Sequence, residues 1–264
     1  MKDEHLLDIQ KGFNFRDLGG YKTQDGKVLK KHKVIRAAML VGLNDHDLQY
    51  LNNYGVRIDI DFRSKAEQES MPDHVPSKAK YISDPVFPPN ETAANEESSR
   101  LNDLKNDPNA GFNNMIQSYK DIVEASSAHK AYRLFFDELL ANTIPEHALL
   151  FHCTTGKDRT GMGAVYFLTA VGVPFETVYA DYLTSNDYIL NNKALQAKKT
   201  ELQSQMGKIL FDNLEAMLKV SDVYLNTALD IIKKQNGTIL NYLEDVLKVT
   251  PAQQAMLKQI YLEE

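Results

Sequence analysis

The stretch Ala148-Leu149-Leu150-Phe151-His152-Cys153-Thr154-Thr155-Gly156-Lys157-Asp158-Arg159-Thr160-Gly161 decides how this chain is read. Apolar residues 148–151 lead into it, and a second apolar run from Met162 to Val173 leads out. That pattern predicts a buried strand, a tight loop and a buried helix. The loop holds the only cysteine of the 264 residues, and an arginine follows six positions later.

A cysteine, a glycine-bearing loop and an arginine at a helix start are the parts needed to attack a phosphate ester. A nucleophilic sulfur must be a thiolate, and the unsatisfied N–H groups of a helix N-terminus stabilise anions. Gly156 lets the backbone curl so that successive amides point at one centre. Thr154, Thr155, Gly156, Lys157, Thr160 and Gly161 are therefore the expected phosphate cradle. Arg159 offers a planar fork that matches two phosphate oxygens. Thr160 is placed to bring a hydroxyl near the sulfur.

Two other readings compete. A lone cysteine is usually a small buried hydrophobe, but a core cysteine has no need of the small, polar and charged residues that follow this one. A nucleotide-binding loop needs Gly, four residues, then Gly-Lys-Ser/Thr. Here Asp158 follows Gly156-Lys157, and Phe151 stands where the first glycine belongs.

His-Cys-x5-Arg-Thr-Gly resembles the signature of protein tyrosine phosphatases and their dual-specificity and lipid-phosphatase relatives. The narrower form HCxxGKDRTG is similar to the atypical bacterial tyrosine/phosphoinositide phosphatases. Asn14-Phe15-Arg16-Asp17-Leu18-Gly19-Gly20-Tyr21 resembles that family's entry motif, Asp61-Phe62-Arg63-Ser64 with Glu67 a further segment, and Asp181–Asn186 a fourth. The matches span about residues 14–186. The resemblance implies a phosphatase fold and a phosphocysteine mechanism. The substrates it implies are phosphotyrosine or phosphoserine/threonine proteins, phosphoinositides, or both. Thr154 and Thr155 depart from the aromatic or Lys, then Ala, that relatives often carry, so substrate preference does not transfer. A tensin-type lipid phosphatase would add a lysine directly after the cysteine, which this chain lacks.

Length and composition fit one catalytic domain over residues 1–264, with a core at 1–186 and a helical layer at 187–264; the resemblance to lidded family members implies that this layer is a movable lid. Hydrophobic content of 43% and charged content of 25% are ordinary for a globular protein. The net charge of -6 argues against nucleic acid or a polybasic membrane anchor. A single cysteine excludes an internal disulfide and suits a reducing cytoplasm. The N-terminus has no apolar signal core, although a signal removed ahead of Met1 stays open. No apolar run approaches a membrane span. Oligomeric state is not legible.

Along the chain, Lys33–Ala38 reads as a strand. Asn44-Asp45 caps a helix closed by Gly55. Residues 56–62 alternate at period two, and Tyr81–Phe87 reads as another strand. Strand–helix alternation predicts an α/β fold, a mainly parallel sheet flanked by helices, with ligands at the C-terminal strand ends. Both Cys153 and Asp61–Arg63 lie at such ends. Residues 84–110, with five asparagines and several prolines, read as a surface loop, either solvated or bordering the substrate. Residues 112–142 read as helix with Tyr132, Phe135, Phe136, Leu139 and Leu140 in the core. Beyond Pro174 nearly everything reads as helix, broken at Gly237, with Thr250-Pro251 starting the last one.

Asp158 calls for a reason, because an ionised carboxylate beside Arg159 weakens anion binding. The expected role is general acid, protonating the leaving oxygen and later activating water, and the resemblance supports it. A solvated first-turn carboxylate is the plain alternative, and Asp61 and Asp84 are rival acids. His152 is expected to order the loop. Arg16 and Asp17 are expected to pair beneath the site, and Arg63 to touch substrate or pair with Glu67. No metal or other cofactor is expected. The remaining classes are a silent phosphate-binding module, a sulfur transferase, and an arsenate reductase, which would want further cysteines. Without a second cysteine, peroxide is expected to inactivate the protein with no rescue by an internal disulfide.

Overall fold

The computed structural model describes residues 4–87 and 93–263. Among these, five strands form one sheet: β1 (Arg16–Asp17), β2 (Val34–Ala37), β3 (Val56–Asp61), β4 (Lys80–Ser83) and β5 (Ala148–His152). Their spatial order is β1-β2-β5-β3-β4, and every neighbouring pair is parallel except β1 with β2. The strand that leads into the cysteine is therefore the middle one, which is why it reads as a continuous apolar run.

Its side chains alternate between two cores. Leu149 and Phe151 face a layer that includes Val34, Ile60, Phe62 and the long helices, while Ala148 and Leu150 face Ile35, Val56 and Leu51. Phe151 is fully buried and meets Phe135 at 4.7 Å between ring centroids. Truncating such a side chain to alanine costs about 3–5 kcal/mol. Register aligns the C-terminal ends: Ala37 and Asp61 both lie opposite His152, and Ser83 opposite Asp61. One edge thus gathers the residues that follow β2, β3, β4 and β5.

Helix α1 (Asp45–Tyr54) begins at Asn44, whose side chain caps Asp47, and ends at Gly55 in the left-handed region. Short α2 (Lys65–Ser70) has a Ser64–Glu67 capping box. The loop expected over 84–110 is instead partly helical: α3 (Ala93–Asn106) lies inside it. Ala93, Ala94, Glu96, Glu97, Leu101 and Leu104 are good helix formers, and Leu104 is buried. Residues 88–92, where that loop was also expected, lie outside the described residues. The strand read over 81–87 stops at Ser83, ahead of Pro85.

The helical stretch read over 112–142 is two helices, α4 (Ala110–Glu124) and α5 (Ser126–Ala141), parted at Ala125. Of its expected core residues, Tyr132, Phe135, Phe136 and Leu139 are fully buried and Leu140 is half-buried. Next come α6 (Arg159–Val171) and α7 (Phe175–Leu190). The chain breaks at Asn191-Asn192 before α8 (Lys193–Gln205) and α9 (Lys208–Leu218). The last helices are α10 (Asp222–Asn236), α11 (Ile239–Asp245) and α12 (Pro251–Tyr261). Gly237 ends α10, and Thr250 caps α12 with Pro251 in its first turn. Residues 222–261 form a packed layer: Leu225, Ala228, Leu243, Leu257 and Tyr261 are buried in the same core as Phe151. No described helix is long and apolar enough to cross a membrane.

Candidate active site

Cys153 follows β5 directly and is 1% exposed. Three carbonyls of the loop after it accept hydrogen bonds from residues elsewhere in the chain. Thr154 accepts from the Met39 amide at 3.3 Å. Thr155 accepts from Asn14 Nδ2 at 3.1 Å, and Gly156 accepts from Asn14 Nδ2 and from Arg36 Nη2 at 2.8 Å. In a trans peptide the N–H points opposite to the C=O, so these bonds turn the amides of Thr155, Gly156 and Lys157 the other way. Gly156 is required here. Its φ is +69°, and a Cβ would lie 2.4 Å from the Ala37 carbonyl oxygen. Thr160 and Gly161 continue into α6, where Thr160 is fully buried and its hydroxyl has no partner among the described residues.

Arg159 is the first residue of α6. Its guanidinium meets Glu67 as two forks, with Nη1 to Oε2 at 2.7 Å and Nη2 to Oε1 at 2.9 Å. Nη2 also donates to the Thr154 hydroxyl at 3.1 Å, and the group lies 5.3 Å from the centroid of the Phe87 ring. Burial alone would raise the Glu67 carboxyl, but the hydrogen bonds and charge of Arg159 outweigh it and hold it well below the usual carboxylate range. The sequence leaves Arg63 either to touch substrate or to pair with Glu67. The Ser64 capping box instead points Glu67 at Arg159.

Asp158 stands at the loop's end with its side chain 20% exposed, against 2% for Lys157. Lys157 Nζ donates to both its oxygens at 2.7 and 2.6 Å, and the Tyr119 hydroxyl donates to Oδ1 at 2.8 Å. Of the rival acids, Asp61 is fully buried and its oxygens accept from Arg63 and Tyr81. That locking takes it out of reach of a substrate. Asp84 follows β4 and is 8% exposed, with Oδ2 lacking a partner among the described residues. Burial pushes its carboxyl up to about 7.

Beneath the loop the expected Arg16–Asp17 pair does not form. Arg16 donates to Asp181 Oδ1 at 2.6 Å, and Arg36 donates to Asp181 Oδ2 at 2.5 Å. Ser185 accepts from both guanidiniums. Asp17 instead accepts the Gly19 and His32 amides and the Tyr54 hydroxyl. A two-residue strand puts neighbours on opposite faces, so Arg16 and Asp17 point apart. Asn14, at φ +58°, turns its own Oδ1 to Arg16 Nε.

His152 and the end of β3 form a second buried cluster. Arg63 binds Asp61 and Asp73, and donates to the Met71 carbonyl, rather than reaching Glu67 or the loop. The His152 ring lies 3.4 Å from both Asp59 and Asp73, and neither ring nitrogen has a hydrogen-bond partner among the described residues. Burial lowers His152 to about 4, so the ring is neutral at pH 7. Burial, then the charges of Asp73 and Asp61, raises Asp59 well above its usual range. Burial, then Asp61, raises Asp73 to about 7. Asp61, Asp73 and His152 have the spacing of a metal-ligand set. The Arg63 guanidinium already lies against both carboxylates, and such a donor set suits a proton better than a divalent cation.

The structure thus gathers Cys153, residues 154–161 and Arg159 at one strand end, with His152 and Asp61 behind them and Arg16 beneath. Sequence reasoning did not find Arg36, Asp73, Phe87 or Tyr119, and it gave no role to Asn14, Asp181 or Ser185 inside the motifs it quoted. A charge inside an otherwise apolar strand, as at Arg36 in Val34–Ala37, was the available signal.

The sheet order and the strand–loop–helix at its centre define the class, a tyrosine-phosphatase-like α/β fold. The particular family follows from comparison: the model of the tyrosine phosphatase family matches residues 7–263, and the chain belongs to that family. A Cupriavidus necator protein named as a tyrosine-protein phosphatase is 29% identical over 254 residues, covering 96% of this chain and 88% of that protein. The triple specificity protein phosphatase PtpB of Mycobacterium tuberculosis is 27% identical over 268 residues, covering 91% and 93%. A tyrosine-protein phosphatase of Nostoc commune is 27% identical over 161 residues, covering 59% of this chain and 49% of that protein.

Proposed function

We propose that this phosphatase hydrolyses phosphate monoesters through a phosphocysteine intermediate, the whole chain acting as one catalytic unit. Cys153 attacks phosphorus in line while the amides of residues 154–160 and the Arg159 fork hold the equatorial oxygens. The sulfur–phosphorus bond forms as the bond to the ester oxygen breaks, and Asp158 gives its proton to that oxygen. Water then attacks the phosphocysteine, passes a proton to the same carboxylate, and releases phosphate and the thiolate.

The observation that carries this reading is the tethering of the loop carbonyls at Thr154, Thr155 and Gly156 to the buried floor beneath them. It leaves the opposite amides to an anion above Cys153. In the resting site Lys157 is paired with Asp158. A phosphate dianion offers that ammonium a stronger partner and frees the carboxyl to take up a proton.

Phosphoproteins are the favoured substrates, phosphotyrosine first. The triple specificity in the name of the Mycobacterium tuberculosis relative supports a range wider than phosphotyrosine, and a phosphoinositide activity is a further reading. Its support here is partial, because the loop's one lysine is already paired. A movable cover over the site finds its best support in α8, whose principal neighbours are α7 and α9.

The test is phosphate release by wild type and Cys153→Ser on p-nitrophenyl phosphate, phosphopeptides and a phosphoinositide panel. Activity that vanishes in the variant supports the cysteine mechanism, and the substrate ranking assigns the target class. Undiminished release by Cys153→Ser overturns it.

A further inference from the structure

Asp158 is held by one buried hydroxyl, which is itself backed by a second. Tyr119 on α4 donates to Oδ1 at 2.8 Å, and its oxygen lies 2.7 Å from that of Tyr182 on α7. The Tyr182 hydroxyl in turn lies 3.3 Å from the Ser221 carbonyl. Both rings are fully buried and meet edge to face with centroids 6.4 Å apart. Burial first, and then the charge of Asp158, pushes both phenols well above their ordinary range, so each keeps its proton.

We propose that Tyr119, itself oriented by Tyr182, is a positioning residue that pins Oδ1 of Asp158 and leaves Oδ2 to carry the proton to the leaving oxygen. The inference rests on the reading of Asp158 as the general acid. A carboxyl can rotate, and a proton delivered from the wrong oxygen misses its target by more than hydrogen-bond reach. A hydroxyl suits the task because it donates equally to a carboxylate oxygen and to the carbonyl oxygen of a protonated acid. Tyr119 therefore keeps the same contact while Asp158 alternates between acid and base. Lys157 touches both oxygens as a charge and favours only the ionised form. The protons balance: Oδ2–H goes to the leaving oxygen, the attacking water restores it, and the tyrosine protons stay where they are.

The groups facing Asp158 are Lys157 in the loop, Arg159 on α6, Tyr119 on α4, Tyr182 on α7 and, more distantly, Tyr224 on α10. Of these only Tyr119 joins a hydroxyl donor on Asp158 to a second buried hydroxyl.

The experiment compares Tyr119→Phe, Tyr182→Phe, Asp158→Asn and the Tyr119→Phe/Asp158→Asn double variant. It measures kcat and KM against pH on phenyl phosphate, a poor leaving group, and p-nitrophenyl phosphate, a good one. Tyr119→Phe is expected to lower kcat on phenyl phosphate about tenfold, the worth of one hydrogen bond to a charged group. KM stays put and p-nitrophenyl phosphate is affected less. Tyr182→Phe acts in the same direction but less, and reads the same question if Tyr119→Phe fails to fold. In the Asp158→Asn background, adding Tyr119→Phe changes kcat less than about twofold. Equal losses with and without the Asp158 carboxyl, or no loss on either substrate, overturn the positioning role. An unchanged phenyl phosphate rate in Asp158→Asn alone overturns instead the general-acid reading beneath it.

Discussion

Glu67 clasps Arg159 through two parallel hydrogen bonds, 2.7 and 2.9 Å long, from a helix that begins after a different strand. The arginine is therefore set in place before any phosphate arrives. Glu67→Ala is expected to keep the fold and lower kcat/KM on p-nitrophenyl phosphate by about 10²-fold, the scale of a misplaced substrate-holding group. Steady-state kinetics check it, and a variant within threefold of wild type would show that the loop holds Arg159 unaided.

Asp181 bridges Arg16 and Arg36 in a site sealed from solvent. Asp181→Ala leaves two buried guanidiniums without a counter-charge, and a loss of about 3–5 kcal/mol is expected in urea unfolding at pH 7. Burial alone would raise the carboxyl, but Arg16 and Arg36 together hold it below an ordinary aspartate. Its contribution is thus present above the unfolded value of about 4 and is lost as the pH falls further. The gap between wild type and variant should narrow in acid. A constant gap from pH 7 to pH 3 would rule this out.

Gly156→Ala adds a Cβ 2.4 Å from the Ala37 carbonyl at φ +69°. Loss of at least about 1–3 kcal/mol of stability is expected, with phosphate release falling further than stability does. Calorimetry beside kinetics checks it: a variant with native activity would show that the loop tolerates a shifted floor.

Asp84 carries the opposite sign to Asp181. Its folded value is about 7, raised by burial, against about 4 unfolded. As the pH rises from 4 to 7 the unfolded chain ionises while the folded one holds its proton, so stability falls across that window and is level above it. Asp84→Asn should melt a few degrees higher than wild type at pH 8, with the difference gone at pH 4. Phosphate release should persist, because the proton donor proposed is Asp158. Melting curves and a phenyl phosphate assay at both pH values decide each point.

The strand-loop-helix at 148–171 was legible because three signals coincide there: an apolar run, a polar loop with glycine, and a second apolar run. Gly55, Gly237 and Thr250-Pro251 were legible because their effects are local. Ion-pair partners were not. Arg16 reads as pairing with its neighbour Asp17, and Arg63 as touching substrate or pairing with Glu67, yet their partners are Asp181, 165 positions away, and the pair Asp61 and Asp73. Pattern along the chain cannot report pairing across a sheet. Helix α3 was missed because prolines and asparagines dominate the composition of 84–110, although the helix formers are grouped between them.

Asn14 and Arg36 hold the carbonyls of a loop more than a hundred residues further on, and Arg36 is itself held by Asp181 and Ser185. The floor of the site is therefore sewn from the beginning, the middle and the later part of the chain. Such distant closures are slow to form. A nascent chain emerging from the ribosome carries its cysteine loop for some thirty residues of synthesis before the last of these anchors exists. The loop thus lacks part of its frame until translation has passed Ser185, and cleavage between these three stretches cuts the covalent link between that frame and the piece that carries Cys153 and Arg159.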